Sequence, residues 1–271
     1  MSRVFFAAEL ETAASWWRIF RRDGVTLGFT THDRDLWFDG VLHRAAPGML
    51  PAAIRLTAGF EDDPGDVEGA LSHDSIAEAD LARGRYDGAR VESGIVDWET
   101  LERATLYSGS IASVSREAAG FKAALSCDKA RLAGDTVPLA GPSCRARFGG
   151  PGCSLNPVAF ETRARVLALD PDAGTVTMDI ADTAPYRYGL LRWLDGPSTG
   201  LESAIVDTNG SVLTLAQRID ADLPANVRVR LREGCDKTIA TCADRFGNAA
   251  NFRGEPFLPG NDMLAQYPVA R

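Results

Sequence analysis

The chain has 271 residues, of which 45% are hydrophobic, and this predicts one large or two modest domains with a packed core. Its formal net charge of −8 argues against a protein that coats nucleic acid, because such proteins need a basic surface. The sequence has no signal-peptide pattern at its start and no run of about 18 apolar residues. We therefore expect no membrane span and a protein kept in the cytoplasm, where reduced thiols favour metal or cluster ligation over disulfides.

The first half of the chain predicts one long helix followed by β-strands. Apolar residues at helical spacing predict an amphipathic helix over residues 7–22. Runs of β-forming residues follow at 25–31 and 36–42, and again at 88–98 and 105–126. These runs predict β-strands in this half of the chain.

A strongly acidic stretch separates the early strands from the later ones. Residues 61–80 hold eight acidic residues and no Lys or Arg, which is typical of a solvated loop that runs into a helix. The helix is expected over 76–83, with Ser75 as its N-cap and Glu78 completing a capping box.

The second half changes character twice. Residues 134–157 are rich in glycine and proline and predict an irregular loop, whereas 162–232 predict five or six short strands that form a small barrel. Asn209 and Gly210 give a strong hairpin signal inside this unit. Near its end, apolar and basic residues alternate, which predicts a strand with one buried and one basic face: Val227, Val229 and Leu231 alternate with Arg228, Arg230 and Arg232.

No catalytic constellation is convincing in this sequence. The run Gly-Pro-Ser-Thr-Gly at 196–200 matches the nucleophile-elbow pattern around Ser198, but that pattern requires a strand, a turn and a helix, then a later histidine. His32 and Asp33 favour a turn with satisfied polar side chains over a metal or acid–base site. All three histidines precede Ser198, namely His32, His43 and His73.

Four cysteines form two widely spaced pairs on either side of the predicted barrel. Eight residues separate Cys144 from Cys153, and six separate Cys235 from Cys242. Structural zinc prefers pairs two to four residues apart, whereas iron–sulfur clusters tolerate wide spacings. If 235–242 formed a continuous helix, its two thiols would share one face. The residues alone leave a cluster, a zinc ion and four plain buried thiols open, and Cys127 is expected to be a core thiol.

The segment around the second pair resembles a known protein family. It is similar to the C-terminal signature of baseplate hub proteins of siphophage-like tails and gene transfer agents, a family related to the tail-tip protein L of phage lambda. The segments 74–81 and 84–91, with Trp98, support the resemblance, which covers nearly the full length. The signature residues are Gly234-Cys235-Asp236-Lys237, Cys242, Arg245-Phe246-Gly247-Asn248, Asn251-Phe252-Arg253-Gly254, Pro256 and Pro259-Gly260.

The resemblance implies a mainly β protein with a few helices, of the α+β class. It implies a tail-hub domain at 1–160, an inserted small β-barrel domain at 161–233, and a cluster-binding segment and tail at 234–271. A [4Fe-4S] cluster at the base of the barrel would be its cofactor. The ligands carried over from the family are Cys144, Cys153, Cys235 and Cys242.

The resemblance also implies a structural role and no enzyme activity. Such a hub links the distal tail tube to the tail-tip proteins, as a homotrimer in the virion tail that is assembled in the bacterial cytoplasm. Its expected partners are further copies of itself, the distal tail protein, megatron-like tail-tip proteins and a tail-associated peptidase, with DNA only in passage. The alternatives are an iron–sulfur redox protein and a zinc-stabilised adaptor module.

Overall fold

The structure is a computed structural model that describes residues 12–45, 49–51, 65–69, 76–117, 120–129 and 137–258. The chain divides into two compact units, Met1–Thr136 and Val137–Arg271. None of the helices in the described ranges is long and apolar enough to cross a membrane. The predicted three-part division of the chain stays a prediction.

The N-terminal unit is built on a nine-stranded sheet with the order β3-β4-β2-β1-β7-β8-β9-β6-β5. Neighbouring strands are antiparallel except β2 and β4, which are parallel. The strands are β1 Ala13–Phe20, β2 Thr26–Thr30, β3 Leu36–Phe38, β4 Val41–Arg44, β5 Met49–Pro51, β6 Gly65–Gly69, β7 Arg90–Asp97, β8 Arg103–Glu117 and β9 Gly120–Cys127.

The helix predicted over 7–22 is wrong for its described part, where the chain forms β1. This strand lies between β2 and β7 in the middle of the sheet. It buries Trp16, Trp17 and Ile19 almost completely, and even Arg18 is only 7% exposed. A strand covered on both faces carries a continuous apolar run instead of an alternating one, so its pattern matches a helix equally well.

The acidic stretch contains more regular structure than a loop. Gly65–Gly69 forms β6, which pairs with β9, so the loop prediction is wrong for these residues. The expected helix is present as α1, Glu78–Ala82, but its N-cap is Ala77, which makes no side-chain cap hydrogen bond. Ser75, the predicted cap, lies outside the described residues.

The C-terminal unit contains a closed six-stranded barrel with the order β10-β11-β14-β13-β12-β15, which confirms the predicted mainly β fold and small barrel. Val166, Leu191, Leu213, Val229 and Leu231 are fully buried in its core. The strands are β10 Glu161–Asp170, β11 Thr175–Met178, β12 Leu190–Trp193, β13 Glu202–Asn209, β14 Val212–Leu215 and β15 Arg228–Arg232.

Two local predictions for the barrel are confirmed. Gly210 has φ +56° in the turn that joins β13 to β14, a conformation that glycine adopts without strain. On β15, Val229 and Leu231 point into the core while Arg228 is exposed. Arg228 forms an ion pair with Asp195 at 2.6 Å, and Arg230 forms one with Glu161 at 3.3 Å. Two arginines of the basic face are therefore paired with carboxylates of the same unit.

The connections in the C-terminal unit are short helical turns and irregular loops. Turns of 3₁₀ helix occupy Pro157–Phe160, Ala184–Tyr186 and Ala249–Asn251, and a π-helical turn occupies Thr241–Arg245. The irregular loop predicted over 134–157 is confirmed for residues 137–156, which contain no strand or helix.

Candidate metal centre

Four thiols converge on one small cavity in the C-terminal unit. Cys144, Cys153, Cys235 and Cys242 all line it, and its volume is about 10 Å³. None of these cysteines is in a disulfide. The fifth, Cys127, is buried in the core of the N-terminal unit and is not among the residues that line this cavity. The fold thus brings together two pairs that are more than 80 residues apart in sequence.

The first pair sits on a loop that glycines allow to fold back on itself. Gly149 has φ +70°, and a Cβ there would lie 2.9 Å from the Cβ of Pro157, so a larger residue would be both strained and crowded. The amide of Cys153 donates to the carbonyl of Gly150 at 2.9 Å and closes a tight turn. This turn aims the Cys153 thiol at the cavity.

The second pair follows the last strand of the barrel directly. Gly234 joins β15 to Cys235, and a Cβ there would lie 1.7 Å from the carbonyl oxygen of Arg187, so only glycine fits without a shift. Cys242 lies on the π-helical turn Thr241–Arg245. Residues 235–238 are irregular, so the continuous helix considered for 235–242 is wrong and the thiols meet through a loop.

Asp236 organises the loop between the second pair. Its carboxylate accepts hydrogen bonds from the Thr238 amide and hydroxyl, both at 2.9 Å, and from the Thr241 hydroxyl at 2.8 Å. Burial acts to raise the pKa of Asp236, but these hydrogen bonds outweigh it and the pKa is lowered. The ionised carboxylate therefore holds the loop through these hydrogen bonds.

Backbone contacts join the two loops. The amide of Cys144 donates to the carbonyl of Lys237 at 2.9 Å. The ammonium of Lys237 reaches back to the carbonyl of Ala146 at 2.5 Å. Lys237 has φ +66°, an uncommon backbone conformation for a lysine, which the two loops hold between them. The geometry of one pair thus depends on the other.

An aromatic cluster covers one side of the cavity. Phe148 and Phe246 line it, and with Phe160 they form three ring contacts with centroids 5.1 to 5.7 Å apart. Edge-to-face and tilted packing of this kind is favourable for aromatic rings. An apolar wall limits the access of water to the thiols, which matters for any group that they bind.

Hydrogen-bond donors also reach two of the sulfur atoms. The side-chain amide of Asn248 lies 3.6 Å from Sγ of Cys153 and donates to the carbonyl of the same residue at 2.7 Å. The amide of Arg253 donates to Sγ of Cys144 at 3.4 Å. Neither residue has a role that the sequence alone predicts, although both lie within the C-terminal signature of the family.

The lining of the cavity combines four thiols with one cationic side chain, that of Lys237. Burial, followed by the neighbouring thiols of Cys235, Cys144 and Cys153, raises the pKa of Cys242. No carboxylate is among the residues that line the cavity. Four thiolates at one place repel each other, and a cation removes that repulsion.

Sulfur is the metal-binding donor type that the lining of the cavity offers. Within the described part of the chain, no group of three or more His, Cys, Asp or Glu side chains could hold one metal ion. A tetrahedral zinc ion with bonds of about 2.3 Å needs sulfur atoms about 3.8 Å apart. The donor set is four cysteine sulfur atoms around a shared cavity, a set that both zinc and iron–sulfur clusters use.

The other candidates from the sequence do not form a site. His32 sits in a turn, where its Nδ1 accepts from the Arg34 amide at 3.0 Å, in agreement with the expected satisfied polar turn. Ser198 is 4% exposed in a turn between the strands β12 and β13, and this is not a strand–turn–helix elbow. His43 is fully buried in the N-terminal unit, and His73 lies outside the described residues.

Comparison with known proteins covers both cysteine pairs. Residues 3–156 match the family "Baseplate hub protein, N-terminal attachment domain", and residues 184–262 match "Phage conserved hypothetical protein BR0599". No curated protein matches the chain. Among solved structures, a chain from the virion of a native gene transfer agent particle is 34% identical, with a TM-score of 0.82 over 99% of this chain and 95% of the other. The chain belongs to the baseplate hub protein family.

Proposed function

We propose that this chain is the structural baseplate hub of a siphophage-like tail or of a gene transfer agent. The observation that carries the proposal is the likeness to a virion chain, which extends over 99% of this protein at 34% identity. A match over both units supports a shared role for the whole chain. The relation to the tail-tip protein L of phage lambda stays a prediction.

In this role the chain links the distal tail tube to the tail-tip proteins in the virion tail, after assembly in the bacterial cytoplasm. We propose a homotrimer around the tail axis, because a channel for passing DNA calls for cyclic symmetry. Its neighbours are the distal tail protein, megatron-like tail-tip proteins and a tail-associated peptidase. The role is mechanical, and the buried Ser198 in a turn between two strands fits a chain without a hydrolytic centre.

We further propose that Cys144, Cys153, Cys235 and Cys242 hold a [4Fe-4S] cluster. The support is the donor set, which is four sulfur atoms with no competing carboxylate around one cavity. The cavity of about 10 Å³ takes about one water molecule, so the two cysteine loops would have to move apart to bind the cluster. When bound, the cluster supplies four strong bonds that tie the loops together.

This tie would strengthen the base of the barrel. The 81 residues between Cys153 and Cys235 contain all six strands, and the first and last of them, β10 and β15, already pair through Glu161 and Arg232. A covalent closure of a loop this long stabilises the fold by on the order of 4 kcal/mol if it acts as a disulfide does. A hub that transmits force along a tail benefits from such a rigid base.

Metal analysis of the purified protein tests the cofactor. Protein purified without oxygen is expected to be brown, with a broad visible absorption and about four irons and four sulfides per chain. A preparation with one zinc and no iron would support the zinc-stabilised adaptor module instead. A cluster that exchanges electrons with a bound substrate would support the redox protein.

A further inference from the structure

Asn248 contacts both cysteine pairs, the first through its side chain and the second through its backbone. Its side-chain amide faces the first pair, at 2.7 Å from the carbonyl oxygen and 3.6 Å from Sγ of Cys153. Its backbone amide donates to the carbonyl of Cys242 in the second pair at 2.8 Å. Asn248 is only 8% exposed, so water competes little for these hydrogen bonds.

A second asparagine fixes the orientation of the Asn248 side chain. The side-chain amide of Asn251 donates to Oδ1 of Asn248 at 2.7 Å. Because Oδ1 accepts this hydrogen bond, the NH₂ group is the end that faces Cys153. The donor is thus aimed at the sulfur before any metal group is present.

We propose that Asn248 is a positioning residue of the cysteine site, which locks the two cysteine loops together and donates an N–H···S hydrogen bond to Cys153. The cluster-tuning part of this inference rests on the proposed cluster, whereas the loop lock does not. Hydrogen bonds to ligating sulfur raise the reduction potential of a cluster, because they stabilise its more negative state. The Arg253 amide donates to Sγ of Cys144, the other thiol of the first pair, at 3.4 Å. This hydrogen bond also acts to raise the reduction potential of the cluster.

The experiment compares Asn248→Ala with a matched control in the same region. Asn156→Ala removes the hydrogen bond that the Val158 amide donates to Asn156 Oδ1 at 3.1 Å, and it touches no sulfur atom. In iron-loaded protein, Asn248→Ala is expected to shift the reduction potential downward and Asn248→Asp further downward. The control is expected to keep the potential of the unmodified protein. Equal potentials in all four proteins would overturn the tuning role.

Amide hydrogen exchange in iron-free protein tests the lock without the cluster. Asn248→Ala is expected to speed exchange by about fivefold at residues 150–155, because one buried hydrogen bond changes local opening by about that factor. Exchange no faster than in Asn156→Ala would overturn the lock. If the unmodified protein binds no iron while Asn248→Ala still speeds exchange, the cluster proposal fails and the lock stands.

Discussion

At the scale of single residues, four thiols converge on one cavity, and the side chain of Asn248 contacts one of them, that of Cys153. The spacing and the family resemblance singled out Cys144, Cys153, Cys235 and Cys242, and the structure brings all four to one cavity. Asn248 could not be assigned, because its contact with Cys153 depends on two loops that meet only in the folded chain. An asparagine three residues before another asparagine carries no distinctive pattern.

The cysteines give the first prediction. Cys144→Ser or Cys235→Ser is expected to abolish iron binding and to lower the free energy of unfolding by on the order of 2–4 kcal/mol, because the binding energy is also folding energy. Cys127→Ser is the matched control and should keep the iron content of the unmodified protein, since its buried hydroxyl affects only the core of the N-terminal unit. Chemical unfolding with iron analysis of each variant provides the measurement. Equal damage from all three changes would mean that the four thiols act only as core residues.

His43 gives a prediction about pH. Burial, followed by the charge of Arg18, lowers the pKa of His43 to about 4, and Arg18 Nε donates to its Nε2 at 2.9 Å. The pKa of His43 is lower in the folded protein than in the unfolded chain. The contribution of neutral His43 to stability is therefore complete above about pH 6.5, and it is lost as the pH falls towards 4. The N-terminal unit should lose roughly 3 kcal/mol across this window.

Urea unfolding of iron-free protein, followed by the fluorescence of the buried Trp16 and Trp17, measures this loss. His43→Gln serves as the comparison, since glutamine can accept from Arg18 without titrating in this window. The free energy of unfolding of the His43→Gln variant should vary less between pH 6.5 and 4 than that of the unmodified protein. The same pH dependence in both proteins would contradict the role of His43.

At the scale of elements, the barrel could be predicted and the central strand of the N-terminal sheet could not. Each barrel strand has one face exposed to solvent and one face in the core. Polar and apolar residues therefore alternate along the strand and reveal it in the sequence, as Arg228 and Val229 illustrate. The strand β1 is covered on both faces, and its apolar run around Trp16 and Trp17 has no period that excludes a helix. Only the pairing with β2 and β7 decides its structure.

The junction between β15 and the second cysteine pair gives a prediction at this scale. Gly234→Ala would place a Cβ 1.7 Å from the carbonyl oxygen of Arg187, so the chain must shift next to Cys235. We expect a loss of about 2 kcal/mol or more in barrel stability and a lower iron content. Gly141→Ala is the control, because a Cβ there meets no atom within 4 Å. Thermal unfolding and iron analysis compare the two, and equal behaviour would show that the junction tolerates a side chain.

At the scale of the whole molecule, charge is distributed unevenly between the two units. Residues 1–136 hold 15 Lys and Arg against 22 Asp and Glu, and residues 137–271 hold 14 against 15. The acidity that argued against a nucleic-acid-coating protein therefore belongs mainly to the N-terminal unit. An acidic unit of this kind suits contact with protein neighbours in a tail more than contact with DNA.

Position and copy number in the particle cannot be derived from one chain, because they depend on surfaces that other proteins cover. They are also the most direct consequence of the proposed hub role. Electron microscopy of purified particles that carry a tagged copy of this chain provides the measurement. We expect three copies around the tail axis between the distal tail tube and the tail tip. Six copies or an off-axis position would contradict the trimer, and absence of the chain from the particles would contradict the hub itself.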